Sequence, residues 1–168
     1  MVLDLNELKK LSEDRKKENL RFISFLKGQV PVKIDKLVHE LNTYYTSNID
    51  CTQCGNCCVH LRPVLAEIDI DILIKELEVS RNKFKKKYVK IDEEGDMLFK
   101  KLPCAFLKEK KCSLYESRPE DCQSYPHLYK DKFTSRLYGI FENYAICPIV
   151  FNVIEELKDQ LSFQRVIT

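Results

Sequence analysis

The stretch that most constrains this chain is Cys51-Thr52-Gln53-Cys54-Gly55-Asn56-Cys57-Cys58, four thiols within eight residues. Four more cysteines follow at wide spacing: Cys104, Cys112, Cys122 and Cys147. Thiolates are soft ligands that suit zinc, copper(I) and iron–sulfur centres. Two cysteines separated by two residues can reach one ion from a tight turn, and Gly55 lets the backbone take the positive φ such a turn needs. All eight cysteines are therefore expected to converge on one or two metal centres.

Disulfides would also use an even number of cysteines. The start of the chain lacks a basic segment leading into an apolar one, so no secretory leader is expected. The expected compartment is the cytoplasm, where dense Cys-x-x-Cys spacing points to metal chemistry. No run approaches the roughly eighteen apolar residues of a spanning helix, so no membrane partner is expected. The net charge of +2 gives no electrostatic case for nucleic acid.

The spacing admits two kinds of centre. Cys-x-x-Cys-Gly is a zinc-knuckle form. Cys51, Cys54 and Cys57 also make the three-thiolate arc of a ferredoxin-type 4Fe-4S cluster, which a remote Cys-Pro such as Cys147-Pro148 completes. Spacing leans towards iron–sulfur, with zinc ions close behind. Neighbouring side chains in extended or turn backbone diverge, so Cys58 is expected to face a second centre or to bridge two ions. His60 and His127 read as surface or supporting residues rather than ligands.

The fold class expected is α+β, mainly α: a small single domain of amphipathic helices around an irregular cysteine-rich core with short strands. Residues 1–30 read as an N-terminal helix and 31–168 as the metal-binding domain. Residues 4–27 read as one helix, packed by leucines and phenylalanines at its two ends. Its polar middle, 12–19, is expected to be a solvated surface, and a protein partner would use this helix. A second helix begins near Val32, with a stripe of Ile34, Leu37, Val38, Leu41 and Tyr44. A short edge strand is expected over 59–65. A third helix carries Ile70, Leu73, Ile74 and Leu77, with Glu67 or Asp69 favouring its start. Ser80 caps a short helix through Tyr88 that displays Lys83, Lys85, Lys86 and Lys87. Residues 89–91 and 97–99 form extended pieces around a turn at 93–96. Residues 102–128 read as irregular with a helical turn or two. Pro148 opens a final helix buried through Val150, Val153, Ile154, Leu157 and Leu161, which should pack near the helix from Val32.

At its cysteines the chain resembles the YkgJ-type cysteine-cluster family, the CxxCxxCC zinc- or iron-chelating domain. The matching stretches are Cys51 to Cys58, Pro103-Cys104-Ala105-Phe106-Leu107, the run from Cys112 to Pro126 and Cys147-Pro148. All eight family cysteines have counterparts. Gln123 stands where the family often has Arg, and His127 where it often has an aromatic or apolar residue. The resemblance implies a small metal-binding protein. A related cluster occurs in flagellin lysine N-methylases, where it implies an iron–sulfur centre; this chain is much shorter and has no glycine-rich nucleotide loop.

Three functions follow as expectations. The leading one is a cytosolic metal-binding protein for redox or metal handling. The others are a zinc-stabilised interaction module and an iron–sulfur enzyme distantly related to those methylases. No Ser/His/Asp arrangement, P-loop or HExxH is present, so the enzyme reading is the weaker. Arg118, Lys111 and backbone N–H groups are expected to offset thiolate charge, and Tyr115 and Tyr125 to shield the site.

Overall fold

The computed structural model describes residues 1–164; the last residues assigned above to the metal-binding domain lie outside them. The described chain is mainly α with a little β. In order it forms α1 (Leu5–Asp14), α2 (Lys16–Lys27), α3 (Pro31–Asn48), α4 (Cys51–Cys54) and α5 (Asn56–His60). There follow α6 (Glu67–Glu76), α7 (Arg81–Tyr88), β1 (Val89–Ile91), β2 (Met97–Phe99), β3 (Leu107–Lys108) and β4 (Lys111–Cys112). Last come α8 (Glu120–Ser124), α9 (Leu137–Glu142) and α10 (Pro148–Gln160). The chain divides into two compact units, one made of Met1–Asp50 with Pro126–Thr168 and the other of Cys51–Tyr125.

The first unit is built on α10. Pro148 sits in the first turn, where its missing N–H costs nothing. Residues 148–154 are buried all round, and Leu157 and Lys158 continue inward. As expected, α3 packs against α10. The buried stripe of α3 is Ile34, Val38, Leu41 and Tyr45. It ends on Tyr45 rather than Tyr44, which is 59% exposed. The 3.6-residue period explains this, since i+11 closes three turns better than i+10.

The N-terminal segment is two helices, not one. Asp4 caps α1 by accepting the N–H groups of Asn6 and Glu7, and the helix breaks at Arg15 (φ −97°, ψ 9°). The polar middle is not the solvated surface its composition suggests. Ser12 and Asn19 are buried, and this stretch faces the fully buried Lys158. The Lys158 ammonium donates to Glu18 Oε1 (2.7 Å), Asn19 Oδ1 (2.6 Å) and Glu155 Oε1 (2.7 Å). Glu155 also accepts from Tyr144 (2.6 Å) and pairs with Arg15. A charge on α10 thus makes a polar segment the right thing to bury.

The second unit packs α6 and α7 over a small antiparallel ribbon. β1 pairs β2 with Val89 opposite Phe99 and Ile91 opposite Met97. The turn is held by the Asp92 carboxylate, which accepts from Glu94 and Asp96 N–H. Ser80 caps α7 through the Lys83 N–H. Of the lysines displayed there, Lys85 is tied to Glu67 at 2.7 Å. The expected strand over 59–65 is absent among the described residues. Val59 and His60 finish α5, and only Val64 makes a single bridge, to Leu98. The apolar core joins Leu65, Ile70, Leu73, Phe84, Val89, Phe99, Phe106 and Leu114, with Cys104 and Cys112 packed against it.

No single described helix is long and apolar enough to cross a membrane.

Candidate metal centre

Seven of the eight cysteines, all but Cys147, lie in the Cys51–Tyr125 unit. None of the eight forms a disulfide. Cys51 and Cys54 are carried on α4, and Cys57 and Cys58 on α5. Between them Gly55 takes φ +63°, the left-handed turn expected of a glycine at this point. A Cβ on Gly55 would stand 2.4 Å from the Lys110 carbonyl oxygen. The cysteine loop therefore presses its bare backbone on the tip of the β3–β4 hairpin. That tip is itself left-handed at Glu109 (φ 47°) and Lys110 (φ 70°), as a two-residue hairpin turn with the right twist requires.

The hairpin delivers two thiols. Cys112 ends β4 opposite Leu107, and Ser113 N–H returns to Phe106 O at 2.8 Å. Cys104, just before β3, donates its N–H to Cys58 O at 2.8 Å, joining hairpin and cysteine loop. Backbone N–H groups point at both sulfurs: Phe106 and Leu107 at Cys104, Leu114 at Cys112. Such donors stabilise a thiolate. Burial, the larger effect, pushes both thiols up.

Cys122 arrives on α8, and here sequence reasoning missed the positioning residues. The buried Asp69 carboxylate, in the first turn of α6, accepts Ala66 N–H (2.8 Å) and Glu120 N–H (3.0 Å). One side chain thus caps α6 and fixes the start of α8. Asp121 accepts Val64 N–H at 3.0 Å. An acidic residue in the first turn of α6 was legible as a helix signal; its second partner, 51 residues on, was not. Burial first, then the neighbouring Cys58, Cys104, Asp121 and Cys112, pushes the Cys122 thiol up to about 12.

Four of the thiols lie within electrostatic reach of one another. Cys58 and Cys112 act electrostatically on Cys104, Cys58 acts on Cys112, and all three act on Cys122. Cys58 also hydrogen-bonds with the thiol of Cys57, which is the first cause of its raised pKa, ahead of burial. The two thiols of this adjacent pair therefore meet, where divergence was expected. Among the described residues, no three His, Cys, Asp or Glu side chains converge tightly enough to grip an ion as they stand. The donor set itself is all soft sulfur, with amide donors aimed at it, and that chemistry fits zinc or iron.

Around the site, Arg118 stacks on Tyr115 at 3.7 Å, donates to Tyr115 O at 2.7 Å and lowers the Cys112 thiol against its burial. Gln123 Nε2 donates to Arg118 O at 2.8 Å, so it braces the turn entering α8. His60 is exposed at the end of α5. Cys147 and His127 belong to the other unit. There Cys147 is buried and precedes α10, donating its N–H to Asn143 O at 2.8 Å.

A family model described as a "putative zinc- or iron-chelating domain" matches residues 50–140. No curated protein and no solved structure matches the chain. With more than half of its length matched, on the stretch that carries seven of the cysteines, the chain belongs to the CxxCxxCC family of zinc- or iron-chelating domains.

Proposed function

We propose that this protein holds iron or zinc through thiolates, in an all-cysteine centre of the Cys51–Tyr125 unit, and serves metal handling or redox in the cytoplasm. The observation that carries the reading is the match of residues 50–140, with seven of the cysteines, to a chelating-domain family; Cys58, Cys104, Cys112 and Cys122, from α5, the loop before β3, β4 and α8, also lie within electrostatic reach of one another. A bound metal would supply Lewis acidity or, as an iron–sulfur cluster, one-electron chemistry. The protein's own part is to present the sulfurs, hold Cys104 and Cys112 under N–H groups, and keep the Arg118 charge beside Cys112.

A second reading keeps an iron–sulfur cluster on Cys51, Cys54 and Cys57. It is favoured by the three-thiol arc running across α4 and α5 about the Gly55 turn.

The test is metal and acid-labile sulfide analysis with an absorption spectrum, on protein purified without oxygen. Zinc in a colourless protein supports a zinc-holding centre. Iron with matching sulfide and broad visible absorption supports the cluster. No metal taken up from either source overturns both.

A further inference from the structure

We propose that a cleft beside the α1–α2 break binds a small neutral aromatic molecule bearing one carbonyl oxygen, with the Asn19 side-chain amide as the donor to that oxygen. None of the lining residues belongs to the Cys51–Tyr125 unit, so the site stands independently of metal holding.

A cavity of about 290 Å³ opens between the α1–α2 segment and the stretch from Phe141 to Ala145. Leu20, Ile23, Phe141 and Ala145 give it apolar walls. It is at the small end of ligand sites and has room for one aromatic ring with a short substituent, since about 150 Å³ already holds benzene. The rings of Phe141 and Tyr144, both on its wall, lie 22° from parallel with centroids 6.1 Å apart. Such a wall suits a flat ring.

One polar group on the wall lacks a partner. Asn19 lines the cavity and is only 7% exposed, and buried amides are ordinarily satisfied. Its Oδ1 accepts from Lys158 at 2.6 Å. A lysine can only donate, which fixes the orientation of the amide and leaves Nδ2 as the other end. Among the described residues nothing accepts the two Nδ2 protons. A donor left in this way costs free energy until an acceptor arrives. The neighbouring hydroxyls are committed: Ser12 donates to Lys9 O at 2.7 Å and Tyr144 to Glu155 at 2.6 Å. Asn19 is thus the donor that a ligand oxygen would meet.

That oxygen should be uncharged. The fully buried Lys158 ammonium is shared among Glu18, Asn19 and Glu155. Arg15 pairs with Glu155, and Lys16 at the rim pairs with Glu13. Each cation beside the cavity already has its carboxylate, so nothing offsets the desolvation of a bound anion.

The experiment is an NMR titration of the full-length, reduced protein with acetophenone, ethylbenzene and benzoate, read at the Leu20 and Ile23 methyls and the Asn19 side-chain amide. Acetophenone is expected to shift all three saturably. Ethylbenzene has the same shape without the oxygen; it should bind about fivefold more weakly and leave the Asn19 amide signal in place. Benzoate should also bind more weakly than acetophenone. The absence of a saturable shift, an unmoved Asn19 amide, equal affinity for acetophenone and ethylbenzene, or tighter binding of benzoate overturns the proposal. Two variants give a second reading. Ala145→Leu fills the cavity from an exposed position and should abolish the shifts. Asn19→Asp keeps the acceptor for Lys158, removes the donors, and should lower acetophenone to the affinity of ethylbenzene. Acetophenone bound as tightly by either folded variant as by the parent overturns the site.

Discussion

Gly55 shows how one residue can serve two constraints at once. Its φ of +63° costs an L-residue about 1–2 kcal/mol. Its missing Cβ also leaves room for the Lys110 carbonyl at 2.4 Å, and that obstacle is backbone and cannot swing aside. Gly55→Ala should therefore destabilise the protein by more than about 2 kcal/mol and displace the hairpin that carries Cys112. Gly95→Ala is the matched comparison: φ is +90°, but nothing lies within 4 Å of an added Cβ. It should cost only the backbone term. Urea unfolding of the two variants decides; equal midpoint shifts would show that the close approach does not matter. The sequence announced the positive φ of Gly55 through its place after Cys54. It could not announce Lys110, because that contact spans 55 residues and depends on the hairpin forming first. The same holds for the eight cysteines: their number is written in the sequence, and which of them come within reach of one another depends on tertiary contacts.

Among the elements, the α1–α2–α10 assembly is where local reading misled. Residues 12–19 carry no apolar side chain, and a solvated surface is the ordinary meaning of such a run. The reason it is buried sits 140 residues away, on a helix whose apolar stripe conceals one lysine. Two consequences can be measured. Lys158→Met strands Glu18 and Glu155 without their shared cation, and should cost about 3–5 kcal/mol. Adding Glu18→Gln and Glu155→Gln to that variant should recover most of the loss. A loss that persists in the triple variant and exceeds that of Glu155→Gln alone, which removes the partner of Arg15, would mean that Lys158 acts through packing rather than charge. The second consequence concerns acid. Burial works against the Glu155 carboxylate, but Lys158, Tyr144 and Arg15 outweigh it and hold its pKa below the ordinary 4.5. A lowered carboxylate pKa in the fold means that the unfolded chain takes up the proton first. The contribution is present in full above pH 4.5 and is lost as pH falls through the folded value. Stability measured down the acid limb should thus fall less steeply in Glu155→Gln than in the parent; parallel curves would remove Glu155 from the acid response. Elements with a clean period were more legible. The α10 stripe as far as Leu157, the Ser80 cap and the β1–β2 turn all follow local rules that nothing distant overrides; Leu161, expected in that stripe, instead caps the helix and is only half-buried.

For the whole molecule, the division into two compact units gives metal loss a place to act. The unit of residues 1–50 and 126–168 has a core of its own around α10, sealed by apolar side chains and the Lys158 network. The Cys51–Tyr125 unit has a smaller apolar core, and two of its thiols, Cys104 and Cys112, form part of that core's edge. A unit of 75 residues buries proportionately little surface, so bound metal is a large share of what would stabilise it, and binding free energy becomes folding free energy. Stripping the metal with a chelator should therefore raise amide hydrogen exchange chiefly within 51–125. The change should be greatest at the β3–β4 hairpin and α8, whose positions Cys112 and Cys122 would tie down. Amides of α3 and α10, protected by a core that contains none of those sulfurs, should keep their rates. Exchange that rises equally in both units would mean that the metal supports the chain as one cooperative body. Exchange unchanged everywhere would leave the thiols with no part in holding the fold. The localised pattern is the one expected, because seven of the eight cysteines sit in the smaller unit and the larger one is closed by other means.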